Sequence, residues 1–277
     1  MTIQWYPGHM AKATRLMKEE LKNVDIVLMM GDARAVKRSI NRDFTKLVGQ
    51  KKYCLVFNKS DLADESVNQR WKEQFRRQGT EAFFIDCVAR KGLGELTFRL
   101  KAISEGFRFS REVRVMVTGI PNVGKSLFIN TLAGRGAAQT GNRPGVTRAK
   151  QWIKIAGEFY LLDTPGVLPP KFETQEDGAV LAAIGSVKDT IIDREELALN
   201  ILAFLCECYP QELMARYKLS QLDETPLTVY EAIGRNRGFK SKGGEIDYER
   251  TAYMILDEFR AGKIARISFD RPQREED

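Results

Sequence analysis

The chain has 277 residues, 43% of them hydrophobic, with 44 Lys and Arg against 37 Asp and Glu and four cysteines. That length buries a full core and predicts two domains. The longest purely apolar run, near Ile26 to Met30, falls far short of the ~20 residues of a membrane-crossing helix. No basic-then-apolar signal segment opens the chain, so a cytoplasmic protein without a membrane partner is expected. Cys54 and Cys87 fall in predicted strands, and Cys206 and Cys208 lie two apart on a predicted helix, pointing to different faces. Buried thiols fit them better than a disulfide frame or a metal site.

In chain order, Ala11 to Asn23 predicts a helix, and Asp25 to Asp32 predicts an apolar strand ending in an acid. Tyr53 to Phe57 predicts a second strand, followed at once by Asn58-Lys59-Ser60-Asp61. A carboxylate there can accept from both N1–H and the exocyclic amine of guanine. Adenine offers neither donor and would leave a buried carboxylate unpaired, a penalty of ~1–3 kcal/mol or more for a charged group. Asn58 would fasten neighbouring loops and the base, and the Lys59 stem would cover its face. The bland alternative is a strand followed by a polar turn. Further on, Phe83 to Ala89 ends in the small-residue turn Cys87-Val88-Ala89, placed where a backbone N–H would meet guanine O6, and Gly94 to Glu105 predicts a helix.

Glu112 to Thr118 predicts a third strand, running into Gly119-Ile-Pro-Asn-Val-Gly124-Lys125-Ser126 and then a helix from Leu127 to Leu132. Strand, glycine turn and helix make the setting of the G-x-x-x-x-G-K-S phosphate loop, whose N–H groups and helix N-terminus face an anion. Asn122, Val123, Gly124, Lys125, Ser126 and Leu127 would line GTP or GDP, with Lys125 on the β- and γ-phosphates and the Ser126 hydroxyl on Mg²⁺. The strand Phe159 to Asp163 leads into Thr164-Pro165-Gly166, where Asp163 suits a Mg²⁺ ligand and the Gly166 N–H a γ-phosphate sensor. Between them, Gly134 to Arg148 is a glycine-dotted stretch. Its Thr147 is either a second Mg²⁺ ligand ordered by the γ-phosphate or a solvated loop threonine.

From residue 178 the pattern is helical: Ala179 to Ile184, Glu195 to Cys208, Pro210 to Tyr217, Leu227 to Ile233 and Tyr248 to Gly262. The expected organisation is an α/β phosphate-loop domain over residues 1–177, a mostly parallel sheet with helices on both faces, then an all-helical domain over 178–277. Charge divides along the same line. Residues 1–177 carry 30 basic against 19 acidic side chains and residues 178–277 carry 14 against 18. The basic excess suits a polyanion such as RNA, or is simply a soluble surface. The loop Arg235 to Gly244, basic with Phe239 in it, could grip an RNA backbone and stack a base, or merely connect two helices.

The order of the motifs is the strongest signal. The guanine-reading tetrad precedes the phosphate loop, whereas ordinary GTPases have them the other way round, so the chain resembles a circularly permuted GTPase. The segments Trp5-Tyr-Pro-Gly-His9-Met, Asp32-Ala-Arg34, NKSD, GIPNVGKS, NRPGVT, DTPG and Gly243-Gly-Glu-Ile-Asp-Tyr248 are similar to those of the YlqF/RbgA family of circularly permuted GTPases, over nearly the whole length. That resemblance implies a GTPase acting in late assembly of the large (50S) ribosomal subunit, binding rRNA and ribosomal proteins and leaving after hydrolysis. Val167 stands where many GTPases use a glutamine to orient the attacking water, and the resemblance points to His9 as a substitute. The similar Pro-Asn-x-Gly-Lys-Ser loops of other GTPases imply K⁺ held by Asn122. Catalytic work would then fall to His9, Lys125, Thr147 and Gly166. Two rivals stand: a GTP-gated RNA-binding module with little hydrolysis, and a GTPase of translation or tRNA modification.

Overall fold

The structure, a computed structural model, describes residues 8–107, 112–134, 151–155, 159–169, 172–222 and 225–272. Two compact units emerge: residues 173–267, and the described residues up to Phe172 together with those from Ser268 on. The sequence-derived boundary at 177/178 falls inside a helix, and the last described residues join the first unit. Among the described residues no helix is long and apolar enough to cross a membrane.

The first unit is built on a sheet of β1 (Ile26–Asp32), β2 (Lys52–Asn58), β3 (Ala82–Phe84), β4 (Val113–Gly119), β5 (Gln151–Ile155) and β6 (Phe159–Asp163). Their order is β3-β2-β1-β4-β6-β5, with all neighbours parallel except β5 and β6. Helices α1 (Gly8–Leu21), α2 (Arg42–Val48), α3 (Glu65–Arg77), α4 (Leu93–Glu105) and α5 (Lys125–Ala133) accompany it. All seven residues of β1 are buried, as the near-continuous apolar run of a central parallel strand requires.

The sheet explains the motif order. Strand β4, which feeds the phosphate loop, sits at the centre, with β1 on one side and β6 on the other. Read from β4 as if it came first, the sheet is one uninterrupted arrangement whose first half lies on the phosphate side and whose second half lies on the base side. The permutation therefore changes where the chain starts without disturbing which strands touch. Because β1, β2, β4 and β6 run parallel, Asp32, Asn58, Gly119 and Asp163 all end strands at the same edge, outside the carboxyl ends where open α/β sheets bind ligands.

Helices α2 and α3 and strand β5 were not anticipated. In α3 the apolar residues facing the core are Val67, Trp71 and Phe75, a stripe one residue wide in an otherwise polar segment, with the buried Asn68 donating to the Ser60 carbonyl beside it at 3.3 Å. Its N-cap is Asp64, whose Oδ1 accepts from Ser66 N at 2.9 Å and Val67 N at 3.4 Å. Trp71 stacks on Phe75 at 5.6 Å and Phe75 on Phe57 at 5.7 Å, which fixes α3 against β2.

The helical unit comprises α6 (Gln175–Ala183), α7 (Arg194–Cys208), α8 (Pro210–Tyr217), α9 (Pro226–Asn236) and α10 (Tyr248–Arg260). A capping box between Thr174 and Asp177 starts α6. The buried residues Leu197, Ala198, Ile201, Leu202 and Leu205 make α7 the hub against which α6, α8, α9 and α10 pack. Arg260 donates to the carbonyls of Ala182 (3.0 Å) and Ala183 (3.2 Å), satisfying the C-terminal end of α6. The basic loop begins within α9, since Arg235 and Asn236 are helical, and continues as a small hairpin closed by a bridge between Lys240 and Ile246. One face of Phe239 is covered by the Arg250 guanidinium at 4.3 Å. Cys54 and Cys87 are buried, with burial pushing both thiols up to about 12, while Cys206 and Cys208 are half-buried.

Candidate active site

The phosphate loop is shaped by its neighbours as much as by its own glycines. Gly119 has φ of 152°, and a Cβ there would lie 2.1 Å from the Met30 carbonyl oxygen of β1. Asn122 (φ 60°) and Gly124 (φ 92°) are left-handed, and Gly124 caps the N-terminus of α5. Lys125 is buried. Its Nζ donates to the carbonyls of Ile120 at 2.8 Å and Gly119 at 3.3 Å, so the ammonium curls over its own loop. Burial pulls its pKa down to about 8, an effect that the nearby Asp163 carboxylate partly offsets. Ser126 Oγ donates to Asp163 Oδ2 at 3.0 Å.

The loop after β6 closes against this cradle. Val167 N donates to the Gly119 carbonyl at 3.1 Å, and Thr164 Oγ1 to that of Val117 at 2.8 Å. A Cβ on Gly166 would lie 2.7 Å from Pro121 Cα and 3.0 Å from Lys125 Nζ. Only glycine permits that approach. The Val167 side chain is buried, so it is a core residue and has no polar group to offer.

Asn58 joins the two motifs. Its Nδ2 donates to the Val123 carbonyl at 2.8 Å and its Oδ1 accepts from Cys87 N at 3.1 Å. The next residue, Lys59, is left-handed at φ 61°, turning the chain so that Asp61 reaches the surface. Partial burial raises the Asp61 pKa, and the nearby Asp86 carboxylate adds to the rise. In the turn behind, Val88 N and Ala89 N both donate to Asp86 Oδ1, at 2.8 Å and 3.0 Å. All three N–H groups of Cys87, Val88 and Ala89 thus have partners inside the protein.

Sequence reasoning assigned no role to the corner Asp32-Ala-Arg34. Asp32 is fully buried and accepts from Arg34 Nε at 2.9 Å and Nη2 at 2.8 Å, while Lys59 Nζ lies 3.1 Å from its Oδ2. Burial alone would raise its pKa. The charges of Arg34 and Lys59 and the Arg34 hydrogen bonds outweigh that and hold the carboxyl far below the usual range. The available signal was an acid ending an apolar strand with an arginine two residues on, because a charge buried at a strand end needs a partner nearby.

Hard oxygen donors suit Mg²⁺, which takes one or two protein groups together with phosphate and water oxygens. Ser126 and Asp163 supply such a pair within hydrogen-bond distance. His9 has its backbone in the first turn of α1, but its side chain lies outside what the structure describes, as does Thr147 entirely.

Comparison with known proteins agrees with this geometry. A family model described as a 50S ribosome-binding GTPase matches residues 114–230. The chain is 43% identical to the ribosome biogenesis GTPase A of Priestia megaterium, over 100% of this chain and 99% of that protein. It is 41% identical to that of Bacillus cereus, over 99% and 95%. Among solved structures, a GNP-bound YlqF from T. maritima aligns with a TM-score of 0.66 at 29% identity, covering 95% of this chain and 99% of the other.

Proposed function

The chain belongs to the ribosome biogenesis GTPase A family and hydrolyses GTP in the service of ribosome assembly, and from that premise we propose that it binds the precursor of the large (50S) subunit, acts late in its maturation and leaves after hydrolysis. The observation that carries this reading is the convergence of base reader, phosphate loop and Asp163–Gly166 loop at one sheet edge. From that loop the chain runs on into the helical unit. A γ-phosphate felt at Gly166 thereby has a covalent route to the helical unit of residues 173–267, with RNA contacts on the basic surface of 1–177 and on loop 235–244.

In this reading Asp61 accepts from guanine, Asn58 locks the reader to the phosphate loop, and the Lys59 stem lies on the base, with Cys87, Val88 and Ala89 behind it. Asn122 to Leu127 wrap the phosphates. Lys125 gives up its two carbonyls and turns to the β- and γ-phosphates, a swap of neutral for charged acceptors that strengthens its hydrogen bonds. Ser126 and Asp163 would hold Mg²⁺, with Thr147 joining when the γ-phosphate is present, and the ion would supply charge neutralisation on the phosphate oxygens. Asn122 is assigned to K⁺, which replacement of KCl by NaCl at constant ionic strength tests through turnover. Since Val167 cannot orient water, His9 takes that part, and hydrolysis is slow until the subunit completes the site.

Sedimentation with separated ribosomal subunits, in GDP or a non-hydrolysable GTP analogue, tests the proposal. Analogue-dependent comigration with the large subunit and subunit-stimulated turnover are expected. Preference for tRNA or whole ribosomes would favour the translation reading, and nucleotide-gated binding without stimulated turnover would favour the gated module.

A further inference from the structure

The segment Ser268–Asp270 carries no recognisable motif, yet it is bonded to both loops flanking the guanine-reading turn. Phe269 N donates to the Arg34 carbonyl at 2.7 Å, and Asp64 N donates to Ser268 Oγ at 3.2 Å. Asp270 is buried at 6% exposure, and its Oδ2 accepts from the backbone N–H groups of Lys37 (2.8 Å) and Arg38 (3.0 Å). Its other oxygen pairs with the Arg38 guanidinium, and its carbonyl accepts from Trp71 Nε1 at 3.1 Å. A buried carboxylate with this many donors is a fixed point, because releasing it strands several polar groups at once.

That fixed point leads to the base reader in two steps. Arg34, whose carbonyl Phe269 holds, grips Asp32 with two nitrogens, and Asp32 in turn holds Lys59 Nζ. Lys59 sits in the left-handed region at φ 61°, which is unfavourable for a non-glycine residue and persists only where surroundings enforce it. Asp61 lies on the same short turn, in a 3₁₀ segment spanning Ser60–Leu62. We propose that Asp270, with Phe269, is a positioning element for guanine recognition: it fixes the loop Ala33–Arg38 so that Arg34 and Asp32 hold Lys59, and with it Asp61, in register with the base. This rests on the reading of Asp61 as the guanine acceptor.

The test compares wild type, Asp270→Ala and Arg38→Gln for binding of GDP, IDP and pyrophosphate. IDP lacks the exocyclic amine that Asp61 would bind, so the GDP to IDP ratio reports reader geometry, while pyrophosphate reports the phosphate loop alone. Asp270→Ala is expected to weaken GDP by about fivefold or more, the lower end of ordinary coupling between sites, to narrow the GDP to IDP ratio, and to leave pyrophosphate unchanged. Arg38→Gln, which keeps Asp270 and its backbone partners, should move the ratio the same way by less, and it carries the test if Asp270→Ala does not fold. Wild-type ratios in both variants overturn the proposal, as do equal losses for GDP and pyrophosphate, which would make the segment a general strap. Asp61→Asn is run alongside: if it leaves base preference untouched, the reader assignment has failed rather than the positioning role.

Discussion

Asn58 and Val123 lie 65 positions apart in the chain, yet the Asn58 amide donates to the Val123 carbonyl at 2.8 Å. The same amide accepts from Cys87 N, so one buried side chain holds the Asn58–Asp61 turn, the Cys87–Ala89 turn and the phosphate loop in a fixed relation. A Cβ on Gly124 would lie 2.4 Å from its Nδ2, so the two motifs are fitted to each other.

Asn58→Asp keeps the acceptor for Cys87 N and removes the donor to Val123, facing a carboxylate with a carbonyl. A loss of ~1–3 kcal/mol in stability is expected, together with weaker GDP binding. Urea unfolding and fluorescent-nucleotide titration measure both, and unchanged values in both would show the bridge to be incidental.

Asp61→Asn turns a pair of acceptors into one acceptor and one donor. Preference should move from GTP toward xanthosine triphosphate, read by competition against a labelled nucleotide. An unaltered preference would remove Asp61 from base recognition.

Lys125 gives a pH signature. In the free protein its pKa is near 8, lowered by burial, whereas bound phosphates favour the charged form and raise it. Binding therefore takes up a proton above pH 8, and GDP affinity should fall as pH rises through 8 toward the ordinary lysine value, by up to about tenfold per unit. The sign for stability is opposite to that of a lysine gaining a partner. The unfolded chain holds the proton more tightly, so the nucleotide-free protein should gain stability between pH 8 and about 10.5. Calorimetry in buffers of different ionisation enthalpy measures the uptake, and Lys125→Ala should abolish it.

Ser126→Ala should weaken Mg²⁺-dependent GTP binding while leaving the thermal midpoint within a few degrees, since its hydroxyl bonds Asp163 at the site's edge. Titration of Mg²⁺ at fixed nucleotide separates loss of the metal from loss of the fold.

His9→Ala should lower subunit-stimulated turnover about 10²-fold or more, while GTP affinity and subunit binding persist. Normal turnover would remove His9 from the chemistry, and lost subunit binding would make it a docking residue.

The sequence by itself determined the strands that carry the motifs, the α/β class, the reversed motif order and the family. Each of these is written locally: alternating or continuous apolar runs in β1, β2, β4 and β6, and glycines where the backbone must turn. Helix α3 escaped because Val67, Trp71 and Phe75 are too few to set a helical period against ten polar neighbours, and β5 because five residues hold too little pattern. Only the tertiary structure decided that Asp32 is a buried anion between Arg34 and Lys59, that Asn58 spans two motifs, and that Ser268–Asp270 returns to the nucleotide unit. Apart from the Asp32–Arg34 pair, these are polar contacts between residues far apart in the chain. Their strength comes from burial and geometry, which leave no periodic trace in the order of the amino acids.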